Sequence, residues 1–139
     1  MSTSERGPVV VGVNGSPNSI VALHRAVDTA VRLGTGLAIV LAVPPQTSDP
    51  LVAAERDRLD RVVRREFPRG TGVPLRCEVM RGNPAVILLG ASVSARLLIL
   101  GAREHSEHGR LFGGSTISRC VDNARCAVEI CADQHASAA

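Results

Sequence analysis

The chain contains no lysine, no tryptophan and no tyrosine, and all 16 of its basic residues are arginine. The missing lysine excludes a P-loop lysine, a Schiff-base lysine and a lysine general base. Phe67 and Phe112 are the only aromatic residues. Single-stranded nucleic acid is held on aromatic platforms, and this chain has almost none. The net charge of +3 suits a small anionic ligand but does not amount to a nucleic-acid footprint, so no nucleic-acid partner is expected. No apolar run approaches the roughly 20 residues of a membrane span, and residues 1–8 lack the apolar segment of a leader. Four cysteines, Cys77, Cys120, Cys126 and Cys131, form no C-x-x-C pair. Buried, reduced thiols are their expected state, and the cytoplasm the expected compartment, with no membrane partner.

What the chain does have is strict alternation of apolar runs and helical patterns. Pro8–Val13 reads as a buried strand ending in Asn14-Gly15-Ser16-Pro17. Ser16 is placed to cap a helix with Pro17 at its first turn, and Gly34 to stop it after about Leu33. Ile20, Leu23, Val27, Ala30 and Val31 are expected on its inner face. Leu37–Val43 is a second buried strand, closed by Pro44-Pro45. Asp49-Pro50 is read as a second cap, for a helix over about Leu51–Phe67. Leu51, Leu59, Val62, Val63 and Phe67 are expected inward, and the outer face of mixed Arg and acid is read as solvated. Val73–Val79 alternates in polarity and is predicted to be an edge strand. Asn83-Pro84 opens a short helix from Ala85 to about Ser94.

The most informative stretch is Leu97–Ser118. Leu97–Leu100 is a third buried run, ending on Gly101. A polar loop follows, and Gly113-Gly114-Ser115-Thr116 opens a helix to Asn123, with Ile117, Cys120 and Val121 expected inward. Cys126–Cys131 is the last strand. A helix start of this kind offers unpaired N–H groups and a positive dipole end to an anion. The order β-α-β-α-β-α-β-α-β predicts one α/β domain over residues 1–139: a parallel sheet with helices on both faces and flexible ends at 1–7 and 132–139. In such a sheet the ligand sits where strand order reverses. With the first strand central, Asn14–Ser16 and Gly101–Thr116 meet at that point.

Val11-Gly12-Val13-Asn14-Gly15-Ser16, Arg81-Gly82-Asn83-Pro84 and Gly101 to Ser115 together resemble the universal stress protein family, from Val9 to Ile130. The resemblance implies a Rossmann-like sheet of order 3-2-1-4-5. It also implies ATP or a related adenine nucleotide as a regulatory ligand in many members, and a homodimer through the last strand, here Cys126–Cys131. ATP-binding members carry G-x-x-G-x9-G-[ST]. Gly101, Gly114 and Ser115 match it, while Glu104 stands at the second glycine. The resemblance places Val13, Asn14, Gly15, Ser16, Val43, Gly82, Gly101, Arg103, Gly114, Ser115 and Thr116 around the nucleotide, Val43 lying against adenine.

Two departures keep alternatives open. The family usually has Asp where this chain has Asn14, which either accepts a ligand hydrogen bond without charge assistance or serves as a turn residue before Gly15. Glu104 next to a phosphate would cost up to about 4 kcal/mol at an effective dielectric near 20. It is accommodated if it points to solvent, pairs with Arg103 or Arg110, or helps hold Mg2+. If none of these holds, the chain is a dimeric interaction module that binds no nucleotide. His105 and His108 are too sparse a set for a metal site. No Ser-His-Asp or Cys-His set is arranged for catalysis, so the expectation is a binding protein and not an enzyme. Glu129, in the middle of the last strand, is expected to discourage edge pairing.

Overall fold

The computed structural model describes residues 7–101 and 114–131. Five strands, β1 (Val9–Val13), β2 (Leu37–Val43), β3 (Leu75–Arg81), β4 (Leu97–Gly101) and β5 (Ala127–Cys131), alternate with four helices. The helices are α1 (Pro17–Leu33), α2 (Asp49–Glu66), α3 (Pro84–Ser92) and α4 (Gly114–Asn123). The strands form one parallel sheet in the order β3-β2-β1-β4-β5.

Side-chain parity splits the core into two halves. Val9, Val11, Val13, Leu37, Ile39 and Ile99 pack with α1 and Leu59 of α2 on one face. Val10, Ala38, Val40, Leu98 and Leu100 pack with Leu88 and Cys120 on the other. Every residue of β1 is buried, as a central strand covered on both faces requires. Gly12 is glycine because space is short: a Cβ there would stand 2.8 Å from Leu100 Cδ2 and 3.0 Å from Leu88 Cδ2.

The helix signals act largely as the sequence indicated. Ser16 caps α1 by accepting from the Ser19 N–H at 3.2 Å. Gly34 ends it in the left-handed region at φ 66°. Asn83 caps α3, accepting from Ala85 N–H at 2.9 Å and Val86 N–H at 3.3 Å.

Several expectations need correcting. Ser48, not Asp49, occupies the cap position of α2, and Asp49 forms an ion pair with Arg81 instead. β3 lies two residues further on than predicted, because parity says which residues share a face but not where pairing begins; Leu37 fixes it by facing Leu75. Val31, Leu51 and Val121 are exposed, at 52%, 59% and 55%. Val31 and Val121 each follow a fully buried residue, Ala30 or Cys120, and so lie about 100° off the buried stripe. Leu51 sits in the first turn of α2, a helix that buries only Leu59 fully.

The sheet has β3 and β5 at its edges. Glu129, at the centre of β5, is tied to α1: Arg25 Nε donates to it at 2.8 Å and Nη2 at 3.1 Å. Arg25 holds this carboxyl below its ordinary range. The four cysteines are free, Cys120 buried and the others half-buried. Burial raises all four thiols, Cys77 to about 11, so they are protonated at neutral pH.

Candidate functional site

β1 pairs with β2 on one side and β4 on the other, so its carboxyl end is the switch point of the sheet. From there the chain enters α1 on one face, while α4 follows β4 onto the other. α4 returns antiparallel to the strands, since β5 begins by pairing Ala127 with Leu97 at the foot of β4. Ten helical residues span about 15 Å and five strand residues about 16 Å. The start of α4 therefore stands level with the ends of β1 and β4. Gly114, Ser115 and Thr116 form its first turn.

The β1–α1 turn is tightly bonded. Asn14 Oδ1 accepts from the Ser16 N–H at 3.0 Å, and the Asn14 N–H reaches Ser19 Oγ at 3.4 Å. Of the two roles open to Asn14, the turn role is thus filled. Gly15 follows at φ 83°, where a side chain would be strained. The Ser16 hydroxyl is engaged as the helix cap, and Ser19 Oγ donates to the Ser16 carbonyl at 2.9 Å. The Val13 side chain is buried in the core, so Val13 can meet a ligand only through its backbone.

A cleft of about 400 Å³ opens at the same edge of the sheet, beyond the ends of β2 and β3, lined by Ala42, Val43, Pro44, Pro45, Gly82 and Asn83, among others. Its size lies within the roughly 300–1,000 Å³ of small-molecule sites, and its mostly apolar wall suits a flat base. Gly82, at φ 139°, turns the chain away from β3, and its N–H donates to the Val43 carbonyl at 2.8 Å. Arg81 ties the rim together by donating to the Thr47 carbonyl at 2.8 Å and pairing with Asp49.

Gly101 has a packing reason of its own. A Cβ there would lie 2.6 Å from the Asn18 carbonyl carbon and 2.7 Å from Ser19 N. The first turn of α1 rests directly on the end of β4.

The predicted residues Val13–Ser16, Val43, Gly82, Gly101 and Gly114–Thr116 thus share the carboxyl edge of the sheet. Arg103, like Glu104, His105, His108 and Arg110, lies outside the described residues. Among the described residues no group of three His, Cys, Asp or Glu side chains is placed to hold a metal, and no helix is long and apolar enough to cross a membrane.

Sequence reasoning passed over Arg58. It sits on the mixed-charge face of α2, yet its Nη2 stands 4.0 Å from the point where a Cβ on Gly15 would lie. No spacing signal relates residue 58 to residue 15; only the packing of α2 beside α1 does.

A five-stranded parallel sheet wound on both faces, with the β1–α1 turn and the start of α4 meeting at its switch point, defines a Rossmann-like α/β domain. No curated protein matches the chain in sequence. The chain belongs to the universal stress protein family, whose pattern it matches over residues 5–131. It is similar to the universal stress protein UspA from Lactobacillus plantarum, at 22% identity and a TM-score of 0.71 over 91% of this chain and 98% of that one. It is also similar to a universal stress protein in complex with cAMP, at 25% identity and a TM-score of 0.67, covering 91% and 97% of the two chains. The universal stress protein from Archaeoglobus fulgidus in complex with dAMP is 19% identical, with a TM-score of 0.71 over 91% and 98%.

Proposed function

We propose that the protein binds an adenine nucleotide as a regulatory ligand in a cytoplasmic stress response, with ATP, accompanied by Mg2+, as the leading candidate. The observation that carries this reading is the meeting of three elements at one edge of the sheet: the Asn14–Ser16 turn, the apolar cleft beside Val43 and Gly82, and the first turn of α4. The cleft suits the base. The helix start suits phosphate, through N–H groups that no intrahelical carbonyl satisfies. Two similar proteins described with cAMP and dAMP support the ligand class. Ligand contacts are assigned to Val13, Asn14, Gly15, Ser16, Val43, Gly82, Gly101, Arg103, Gly114, Ser115 and Thr116. The protein acts by binding and not by catalysis.

A homodimer through β5 belongs to the same reading. The Arg25 pair offsets the charge of Glu129, and Ile130 is 39% exposed beside it. Sedimentation at micromolar concentration tests this; a monomer there removes the dimer.

Thermal unfolding with and without Mg-ATP, dAMP or cAMP tests the ligand. At one hundred times its dissociation constant a ligand adds about 2.7 kcal/mol, which raises the midpoint of such a domain by several degrees. A second reading, an interaction module without nucleotide, is favoured by the internal bonds that already engage Asn14 Oδ1, the Ser16 hydroxyl and the Val43 carbonyl. An unchanged midpoint with all three ligands at millimolar concentration selects that second reading.

A further inference from the structure

We propose that Arg58 reads the phosphate of the bound nucleotide from the α2 side of the β1–α1 turn. The proposal rests on the adenine-nucleotide reading above and adds a specificity-determining residue to that site. α2 runs antiparallel to the strands, so its first turns lie at the carboxyl edge of the sheet. Helical side chains lean toward the helix N-terminus. Arg58 therefore leans toward the carboxyl edge of the sheet, and its Nη2 comes within 4.0 Å of a Cβ position on Gly15 in the β1–α1 turn. Gly15 has no side chain to screen it, so the guanidinium stands over bare turn backbone at the switch point.

The bonds of Arg58 are weak enough to exchange. Its ion pair is with Glu55 at 3.7 Å, and the two side chains are 65% and 35% exposed. Arg81, another guanidinium at this edge, is engaged by Thr47 and Asp49. A planar guanidinium with five donors matches a phosphate with two parallel bonds. With no lysine in the chain, arginine is its only side chain that stays cationic at all working pH values. In this arrangement Glu55 holds Arg58 loosely when no ligand is bound, and phosphate displaces it.

The test is calorimetric titration of the full chain with adenosine, dAMP and ATP, in wild type, Arg58→Ala, Arg58→Lys and Glu55→Gln. Arg58→Ala should weaken dAMP and ATP about tenfold while leaving adenosine unchanged. Arg58→Lys, which keeps the charge without the fork, should recover part of that loss. Glu55→Gln removes the competing carboxylate and should tighten dAMP about twofold. High salt should shrink the difference between wild type and Arg58→Ala. The exposed position of Arg58 leads us to expect unchanged melting of the ligand-free variants. An equal loss for adenosine and dAMP would mean that Arg58 touches the nucleoside, and would overturn the assignment. Unaltered dAMP binding in Arg58→Ala would overturn it too, with the nucleotide reading intact. If wild type binds none of the three, the nucleotide reading itself fails, and this proposal with it.

Discussion

Gly101→Ala separates two explanations of the same glycine. As part of a nucleotide motif, Gly101 is there so that a ligand can approach the backbone. The structure gives it a different occupation: the Cβ of an alanine would lie 2.6 Å from the Asn18 carbonyl carbon, 2.7 Å from its oxygen and 2.7 Å from Ser19 N. All three are backbone atoms of the first turn of α1, and no rotamer change relieves them. Overpacking of this kind costs about 1–3 kcal/mol. A 139-residue chain has an unfolding entropy of about 0.3 kcal/mol/K, so the ligand-free midpoint should fall by about 3–10 °C. Gly12→Ala is the internal control. The atoms nearest its Cβ are the ends of the Leu100 and Leu88 side chains, at 2.8 and 3.0 Å, which can give way more readily than backbone. It should cost less than Gly101→Ala. Thermal and urea unfolding of both variants without ligand provides the measurement. If Gly101→Ala melts like wild type, the packing argument is wrong, and the glycine serves the ligand alone.

Two further outcomes follow from charge and burial. Arg25 keeps the Glu129 carboxyl below its usual range. The pair therefore contributes fully above the unfolded carboxylate pKa of about 4.3, and the contribution is lost as pH falls through the lower folded value. Glu129→Gln should be less stable than wild type at neutral pH, with the gap closing below about pH 4; urea midpoints across this range would show it, and a gap that persists in acid would refute it. Cys77, raised to about 11 by burial first and by Asp60 second, should react with iodoacetamide at pH 8 about a hundredfold more slowly in the folded chain than in the unfolded one. Mass spectrometry of the alkylated protein would detect fast native labelling, which would contradict the burial.

How far function can be read without coordinates depends on the range over which each signal acts. The Ser16-Pro17, Asn83-Pro84 and Gly34 signals are local: a cap bonds an amide two or three residues away, and a left-handed stop needs only its own φ. They placed the helices to within a residue or two. Runs such as Leu37–Val43 carry their burial in composition. With helices between them, they require a parallel sheet, and the resemblance supplied the order of its strands. From that order alone the Asn14–Ser16 turn and the start of α4 come to one edge.

Tertiary packing decided the rest, because it depends on distances that sequence spacing does not encode. It turned Val31, Leu51 and Val121 outward, since a helix can bury only the arc that its neighbours cover. It brought Arg25 to Glu129 across 104 positions, converting an edge charge into a tie between helix and strand. It also gave Asn14 and Gly101 duties within the fold that their motif did not announce. Arg58 is the extreme case. On paper it is one arginine of a mixed-charge helix face. It reaches Gly15 because α2 lies beside α1 with a particular rotation, and Leu59, Val52, Val62 and Val63, which pack against the core, hold that rotation.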